Sequence, residues 1–329
     1  MADLLQGLRG ELWRDVPMHK HTSWRVGGPA ERAYIPADVS DLAQFLRGLP
    51  ENEPVHVFGL GSNLLVRDGG VRGTVIFTHG ALKHWRSSQA SPFVLPSTQF
   101  MLYAEAGVAS PVVARMAARH ALAGGEFMAG IPGTVGGALR MNAGCYGSET
   151  WEIVERILTV DRRGNLKQRA KAEYEIGYRS VALKIPPIPP LPKGGASGDS
   201  APQSSILNPE FFAAAWFRFS PGDRKTSLEE IRALLTRRIA SQPLSIPNAG
   251  SVFRNPPGDH AARLIEASGL KGAKLGGAIV SPQHANFIVN CGGASAADIE
   301  ILIEKVHTTV LERTGIDLVR EVEIVGEPE

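Results

Sequence analysis

A glycine-rich segment at residues 130–147, "GIPGTVGGALRMNAGCYG", limits the possible folds more than any other part of the chain. It holds six glycines and one proline among small apolar residues. Glycine adopts positive φ and lets the backbone approach a ligand closely, so such a segment can present amide groups to a pyrophosphate. A second segment, "GLGSN" at residues 59–63, follows an apolar run. Either segment alone would more often be a tight turn, but two together favour one shared nucleotide ligand.

Neither segment matches a standard nucleotide-binding signature. Gly59 and Gly61 lack the third glycine of a dinucleotide fingerprint, and no Gly-Lys-Ser or Gly-Lys-Thr ending of a P-loop is present. The glycines alone therefore do not identify the ligand.

The composition excludes several classes of protein. With 329 residues, 43% hydrophobic and 21% charged, the chain is long enough for two or three domains with cores. A net charge of +2 gives no reason to expect a nucleic acid or a membrane as partner. No apolar run reaches the roughly 18 residues of a membrane helix. Two cysteines and no signal-peptide pattern favour a reducing cytoplasm. We expect no metal site.

Local patterns predict alternating helices and strands in the first half of the chain. Ser40 precedes helical spacing up to Leu49, and the apolar stretch 54–66 predicts a strand that runs into the first glycine segment. Ser110 and Gly124 are typical of the start and end of a helix that leads into the second segment. Residues 152–168 alternate apolar and polar side chains around an Arg-Gly-Asn turn, which predicts a hairpin.

The second half begins with a proline-rich stretch. Residues 185–205 contain six prolines and no periodicity, which is typical of a flexible surface insertion. Beyond it, Ser227 and Glu230 form a capping-box pattern before an apolar face that extends to Ile239. Ser295 and Asp298 open another helix, and the tail 316–326 predicts a final strand.

Seven motifs occur in the order and spacing of one enzyme family, and the chain resembles it over nearly its whole length outside the proline-rich stretch. They are "HTSWRVGGPA" (21–30), "GLGSNLLV" (59–66), "AGIPGTVGGALRMNAGCYG" (129–147), "GYRS" (177–180), "NAGSVFRNP" (248–256), "GGAIVSPQHANFIVN" (276–290) and "EVEIVG" (321–326). The family is the UDP-N-acetylenolpyruvoylglucosamine reductases, in the branch without the tyrosine-bearing insertion.

The resemblance implies an α+β fold and a division into domains. It implies the FAD-binding fold of the p-cresol methylhydroxylase and vanillyl-alcohol oxidase type, in two subdomains at 1–85 and 86–222, with the insertion 185–205 in the second. A smaller α+β substrate domain would follow at 223–317, and the strand 318–329 would return to the active site.

The resemblance also implies the reaction. The family reduces the enolpyruvyl ether of UDP-N-acetylenolpyruvoylglucosamine to UDP-N-acetylmuramate in peptidoglycan synthesis, with NADPH as hydride donor and noncovalent FAD as carrier. The chemistry leaves an enolate that must be stabilised and then protonated. By resemblance, Arg179 binds the substrate carboxylate, Ser251 donates the proton to C2, and Glu321 polarises the enolate. Glu323 has the same parity along the strand, so spacing alone cannot choose between the two glutamates.

The binding residues are likewise carried over from the family motifs. Cofactor-binding residues would be Gly59, Gly61, Ser62, Asn63, Leu64, Gly130, Ile131, Pro132, Gly133, Gly136, Gly137, Asn142, Ala143 and Gly144. Substrate-binding residues would be Tyr178, Arg238, Arg254 and Asn255. Ser241 stands where many members carry a phosphate-binding lysine. We expect Cys145 to be a small buried filler, His284 to be structural or at the rim of the site, and the protein to be a monomer.

Two other functions fit parts of the sequence. One is another FAD oxidoreductase of the same fold, in which a histidine or cysteine often binds the flavin covalently. The other is an inactive nucleotide-sugar binding protein, against which the intact set Arg179, Ser251 and Glu321 argues.

Overall fold

The first part of the chain forms a small mixed sheet. The structure is a computed structural model that describes residues 7–87, 100–184 and 210–329. The first of these ranges contains β1 (Glu11–Pro17), β2 (Pro29–Ile35), α1 (Val39–Gly48), β3 (Val55–Phe58), β4 (Leu64–Val66), β5 (Val71–Phe77) and β6 (Trp85–Ser87). Four strands pair in the order β1-β2-β5-β3, with β1 antiparallel to β2 and the remaining two pairs parallel.

The middle of the chain builds a second, antiparallel sheet. Its elements are β7 (Met101–Glu105), α2 (Ser110–Arg119), β8 (Leu122–Ala123), α3 (Val135–Arg140), β9 (Gly144–Cys145), β10 (Ser148–Glu149), β11 (Val154–Asp161), β12 (Leu166–Ala170), β13 (Tyr174–Gly177), β14 (Ser180–Leu183) and β15 (Glu210–Arg218). Five strands pair in the order β12-β11-β15-β7-β6, and β13 and β14 form a separate hairpin. Helices α2 and α3 share a buried core with this sheet.

The last part of the chain has its own core and returns to the first sheet region. It contains β16 (Ser220–Pro221), α4 (Arg224–Ser241), α5 (Ala261–Ala267), β17 (Lys274–Leu275), β18 (Ala278–Val280), β19 (Ile288–Asn290), α6 (Ala296–Thr314) and β20 (Glu323–Val325). Strand β20 pairs in parallel with β4, far from it in sequence. Trp24 enters the core around α6 and donates from Nε1 to the carbonyl of Ile288 at 2.7 Å.

Several predicted elements are confirmed. Residues Val154–Asp161 and Leu166–Ala170 form the predicted hairpin. Ser295 caps α6, since its side chain accepts from the Asp298 amide while Asp298 accepts from the Ser295 amide. The expected strand at 54–66 is present as β3 and β4, on either side of the glycine turn.

The predicted starts of α1 and α4 are wrong because an aspartate earlier in the sequence caps each helix. Helix α1 is capped by Asp38, whose carboxylate accepts from the Asp41 amide, so Ser40 lies inside the helix. Asp223 caps α4 in the same way, which places Ser227 and Glu230 within the helix rather than at its start. An aspartate three residues ahead of a free amide supplies the same acceptor as a serine.

Helix α2 differs from its prediction at both ends. Ala109 is at its N-cap, so Ser110 is the first helical residue and makes no capping bond. The helix ends at Arg119, and Gly124 lies beyond the short strand β8.

Helix α4 buries fewer residues than its apolar pattern predicts. Ile239 is 65% exposed, whereas Ile231 is buried in the core that α2 and the second sheet share.

The domain boundaries at residues 85, 222 and 317 stay a prediction. The proline-rich insertion 185–205 lies outside the described residues. None of the helices in the described ranges is long and apolar enough to cross a membrane.

Candidate active site

A cavity of about 560 Å³ lies where the three parts of the chain meet. The two glycine segments form one side, which we call the glycine wall (the cavity-lining residues of 59–64 and 130–144). Arg179, Ser251 and Glu321 lie on the cavity as well, and we call them the polar cluster. The volume is in the range of sites for small ligands and cofactors.

The first glycine segment turns sharply after β3. Gly61 has φ 63°, and a Cβ at this position would lie 2.1 Å from the His21 carbonyl oxygen. A Cβ on Gly59 would meet Oγ1 of Thr134 at 2.4 Å. Only glycine therefore lets residues 59–64 pack this closely against both neighbours.

Two glycines of the second segment leave room on the cavity side. A Cβ on Gly137 would have Oγ1 of Thr134 as its nearest neighbour, at 3.9 Å, and a Cβ on Gly133 would meet only Oγ of Ser62, at 3.3 Å. Both residues line the cavity. A side chain there would occupy ligand space rather than clash with the protein backbone.

Thr134 carries an unpartnered hydroxyl between the two glycine segments. The residue is 1% exposed and lines the cavity, and its Oγ1 has no hydrogen-bond partner among the described residues. Although Thr134 is at the N-cap of α3, its side chain makes no capping bond. Since buried hydroxyls are normally paired, this one fits a ligand oxygen. The glycine wall thus suits a phosphate-bearing cofactor.

The polar cluster brings together three residues that are far apart in sequence. Nε of Arg179 lies 2.8 Å from Oε1 of Glu321, and both side chains are largely buried, at 16% and 13% exposure. The Glu321 amide donates to the carbonyl of Val252 at 2.8 Å, which holds Glu321 next to Ser251. Arg179 has φ 54°, at the turn of the β13–β14 hairpin. The left-handed backbone is unusual for a non-glycine residue and is found often at functional sites.

Two opposing effects act on the pKa of the Glu321 carboxyl. Burial raises this pKa above its ordinary value, and the positive charges of Arg179 and Arg254 partly oppose the increase. The cluster therefore places a desolvated carboxyl and a guanidinium in contact on the cavity lining.

Most of the residues predicted for the site line the cavity. This holds for the three residues of the polar cluster, for Arg238 and for every predicted cofactor-binding residue except Asn142. Arg238 is held by its own contacts: it donates to the carbonyl of Gly130, and its Nε donates to Oε1 of Gln242 at 2.8 Å.

The structure places four predicted residues away from the cavity lining. Asn142 is buried behind the glycine wall, and Tyr178 is 48% exposed at the hairpin turn. Asn255 accepts from the Ala261 amide and so caps α5. Arg254 lies close enough to Glu321 for its positive charge to lower the pKa of that carboxyl. The buried Nε of Arg254 has no hydrogen-bond partner among the described residues.

The cavity also has lining residues that the sequence did not indicate. Besides Thr134 they include Arg140, Gln242 and Phe287. Arg140 pairs at 3.2 Å with Glu323, the glutamate that strand parity leaves as an alternative to Glu321, and Glu323 also lines the cavity. Thr134 and Arg140 lie in the motif 129–147 and Phe287 lies in the motif 276–290, so membership of these motifs is the one sequence signal that points to them.

Three further expectations concern Cys145, His284 and Ser241. Cys145 is half-buried and lines the cavity, so it is more than a core filler, although burial raises the pKa of its thiol and makes it a poor nucleophile. His284 packs its ring against Phe287, and burial lowers the pKa of the imidazole. Ser241 donates to the Arg237 carbonyl within α4. In the described ranges no group of histidine, cysteine or carboxylate residues could hold a metal ion.

Comparison with known families gives two matches that together span most of the chain. Residues 30–168 match the family described as FAD binding domain. Residues 242–325 match the family described as UDP-N-acetylenolpyruvoylglucosamine reductase, C-terminal domain. The predicted α+β fold with an FAD-binding part is thereby confirmed.

Individual proteins give the same result over the full length. The chain is 56% identical to the UDP-N-acetylenolpyruvoylglucosamine reductase of Nitrosospira multiformis, over 98% of this chain and 90% of the other. It is 53% identical to that of Thiobacillus denitrificans, over 97% of this chain and 94% of the other. The crystal structure of the enzyme from Thermus caldophilus superimposes with a TM-score of 0.72 at 29% identity, covering 97% of this chain and all of that chain.

Proposed function

The chain belongs to the family of UDP-N-acetylenolpyruvoylglucosamine reductases, and we propose from that premise that Arg179, Ser251 and Glu321 carry its reaction. The protein reduces UDP-N-acetylglucosamine enolpyruvate to UDP-N-acetylmuramate with NADPH and FAD, a step of peptidoglycan synthesis. The observation that supports the residue roles best is the ion pair of Arg179 and Glu321, which lines the same cavity as Ser251 and the glycine wall.

The glycine wall supplies the residues that would hold FAD. When bound, FAD accepts a hydride from NADPH and passes it to the enolpyruvyl double bond. Gly133 and Gly137 leave space for a large group, and the unpartnered Oγ1 of Thr134 is available to donate to a phosphate oxygen. No lysine is needed at this point, since backbone amides and a hydroxyl can hold a pyrophosphate.

Arg179 binds the carboxylate of the enolpyruvyl group in this proposal. Its guanidinium is largely buried, so a carboxylate that reaches it makes a charge-assisted contact that water screens little. The planar set of donors suits an enolate, whose charge spreads over the carboxylate oxygens as the hydride arrives. The same guanidinium holds Glu321 before substrate enters.

Ser251 donates the proton that completes the reduction at C2. A serine hydroxyl is a weak acid, but the enolate carbon is a strong base and the transfer covers one hydrogen-bond length. Glu321 lies next to Ser251 through the bond from its amide to Val252. In this proposal Glu321, whose carboxyl contacts the Arg179 guanidinium on the cavity lining, polarises the enolate as charge develops on it.

The nucleotide part of the substrate needs positive charge outside the polar cluster. Arg238 lines the cavity and Arg254 lies near Glu321, so we assign the diphosphate to this pair. The family motifs add Tyr178 and Asn255 as further substrate contacts, although neither lines the cavity in this structure. Burial lowers the pKa of Arg238, which a bound diphosphate would reverse. We further propose a monomeric cytoplasmic enzyme that binds neither nucleic acid nor membrane.

A spectroscopic titration tests the function. The purified protein should show flavin absorbance, NADPH should bleach it, and UDP-N-acetylenolpyruvoylglucosamine should restore it under anaerobic conditions. Colour left in the supernatant after denaturation identifies noncovalent FAD. Bleaching that the enolpyruvyl sugar does not reverse would contradict the proposal, and colour retained in the pellet would favour an oxidoreductase with covalent flavin.

A further inference from the structure

Asn142 sits behind the glycine wall in a conformation that few residues adopt. It is 1% exposed and has φ 40°, in the left-handed region that asparagine tolerates better than most residues. It lies two residues after the end of α3, within the glycine-rich segment 130–147. Its side chain does not line the cavity.

All the hydrogen-bonding groups of the Asn142 side chain point at protein atoms. Nδ2 donates to Oε2 of Glu149 at 2.6 Å and to the carbonyl of Gly177 at 3.1 Å, and Oδ1 accepts from the Trp151 amide at 3.1 Å. The reverse amide orientation would place an oxygen against a carboxylate and a carbonyl, so these partners fix the assignment. Both donors of the side chain are in use.

The contacts of Asn142 join the glycine-rich segment to the hairpin that carries Arg179. Gly177 is the last residue of β13, two positions before Arg179, and Nη1 of Arg179 donates back to the Asn142 carbonyl at 3.4 Å. Strands β13 and β14 pair only with each other among the described strands. Three polar contacts join the hairpin turn at residues 177–180 to other described parts of the chain. One is the ion pair of Arg179 with Glu321, and the other two come from Asn142.

We propose that Asn142 is a positioning residue, which holds the β13–β14 hairpin against the glycine-rich segment and thereby places the Arg179 guanidinium over the substrate carboxylate. The inference rests on the proposed function for the role of Arg179. It gives the asparagine of the glycine-rich segment a task in substrate reduction and none in cofactor binding.

The test substitutes Asn142 with a residue of the same shape and backbone preference. Asn142→Asp keeps an acceptor for the Trp151 amide but replaces Nδ2, and with it both N–H donors, by one oxygen that faces Glu149 and the Gly177 carbonyl. We expect flavin content and the rate of flavin reduction by NADPH to stay within about twofold of the unmodified protein. Reoxidation by the enolpyruvyl sugar should slow by roughly 10- to 100-fold, the cost of a small misplacement of a group that contacts the reacting atoms. KM for the sugar should rise.

A second substitution tests the mechanism of that loss. Glu149→Gln in the Asn142→Asp background supplies an Nε2 donor to the new carboxylate, so part of the reoxidation rate should return. Asn142→Gly keeps the left-handed backbone without adding charge and should show the same split between the half-reactions. Asn165→Asp is the matched control, because its Nδ2 also donates to a carboxylate, that of Asp161, in a hairpin turn away from the cavity. It should leave both half-reactions unchanged.

Each remaining outcome overturns the inference. Loss of flavin from Asn142→Asp would make Asn142 a cofactor-site residue, and equal slowing of both half-reactions, or failure of both Asn142 variants to fold, would make it a general structural one. Unchanged reoxidation would show that the position of the hairpin does not depend on the Asn142 contacts.

A separate readout distinguishes this inference from the proposed function. Amide hydrogen exchange across residues 174–183 should be faster in Asn142→Asp whatever the substrate is. Unchanged exchange would contradict the proposal that Asn142 holds the β13–β14 hairpin. Failure of the unmodified protein to be reoxidised by the enolpyruvyl sugar would instead contradict the proposed function.

Discussion

The glycine wall and the polar cluster share one cavity but are built in opposite ways. The wall comes from two short continuous segments whose backbone shape follows from their own glycines, such as Gly61 with φ 63°. The cluster takes one residue each from a hairpin turn, a loop and the C-terminal tail. The comparison teaches that the wall depends on local backbone freedom, whereas the cluster depends on tertiary contacts. The two regions should therefore fail differently.

The largest effect should come from filling the glycine wall. Gly137→Val places a branched side chain in ligand space, and it should weaken FAD binding by at least roughly 100-fold and remove all activity with it. The helix itself should tolerate the change, because valine is a better helix former than glycine. The measurement is flavin content after purification, with Ala297→Val at an exposed position of α6 as control. Full flavin content in Gly137→Val would show that the wall does not face the cofactor.

A substitution in the polar cluster should leave the cofactor in place. Arg179→Lys retains the charge but loses the planar set of donors, so reoxidation of the reduced enzyme by the enolpyruvyl sugar should slow by roughly 100-fold. Flavin content and reduction by NADPH should be close to normal. Rapid-mixing absorbance measurements separate the steps. Equal loss in both would mean that Arg179 supports the cavity as a whole.

Thr134 should respond with opposite signs in the free and the cofactor-bound protein. Thr134→Val removes a buried hydroxyl that has no partner, so the apoprotein should gain about 1 kcal/mol in the free energy of unfolding. FAD binding should weaken roughly tenfold, since one hydrogen bond to a phosphate is lost.

Thr150→Val is the matched control for that experiment. Thr150 is also fully buried, but its hydroxyl donates to the Ala143 carbonyl at 2.7 Å, so the substitution should destabilise the apoprotein. Chemical denaturation of both variants without FAD checks the two signs. A Thr134→Val apoprotein as unstable as Thr150→Val would mean that the hydroxyl already has a partner in the protein.

The smallest effect should be a pH dependence of stability from Glu321. Burial raises the pKa of this carboxyl, so the folded state keeps the proton to a higher pH than the unfolded state does. Its contribution to stability is therefore present at low pH and is lost as the pH rises through the raised pKa. The free energy of unfolding, measured relative to Glu321→Gln, should fall as the pH increases.

A second carboxylate gives the opposite sign for comparison. The hydrogen bond from Arg218 lowers the pKa of Glu155, so stability relative to Glu155→Gln should rise with pH, by a small amount because the pair is exposed. Parallel slopes for the two glutamates would contradict the assigned environment of Glu321.

The sequence predicts the wall better than the cluster for a physical reason. Glycine and capping patterns act within a few residues, so the glycine turns and the capping box of Ser295 could be predicted from local signals. Asp38 and Asp223 show the limit of that reasoning, because several side chains near a helix start can supply the same acceptor.

The cluster and the anchor at Asn142 could not be predicted from local patterns. Arg179 and Glu321 meet through tertiary contacts, among them the pairing of β20 with β4 and the bond from the Glu321 amide to the Val252 carbonyl. The family resemblance implies both residues but not their contact. The family resemblance groups Asn142 with the cofactor residues, but its side chain points to Glu149 and Gly177. Strand parity marks Glu323 as an alternative to Glu321, but it does not predict that Glu323 pairs with Arg140 on the cavity.

The most direct test of the central claim, that the two regions serve different halves of one reaction, is a stopped-flow measurement of both half-reactions in Ser251→Ala. Ser251 faces the cavity beside Glu321 and is proposed to give its proton only to the substrate. We expect flavin reduction by NADPH at close to the normal rate and reoxidation by the enolpyruvyl sugar slowed by roughly 10² to 10⁴, the contribution of a positioned proton donor. Ser251→Cys should recover part of that loss. Equal slowing of reduction and reoxidation would contradict the account.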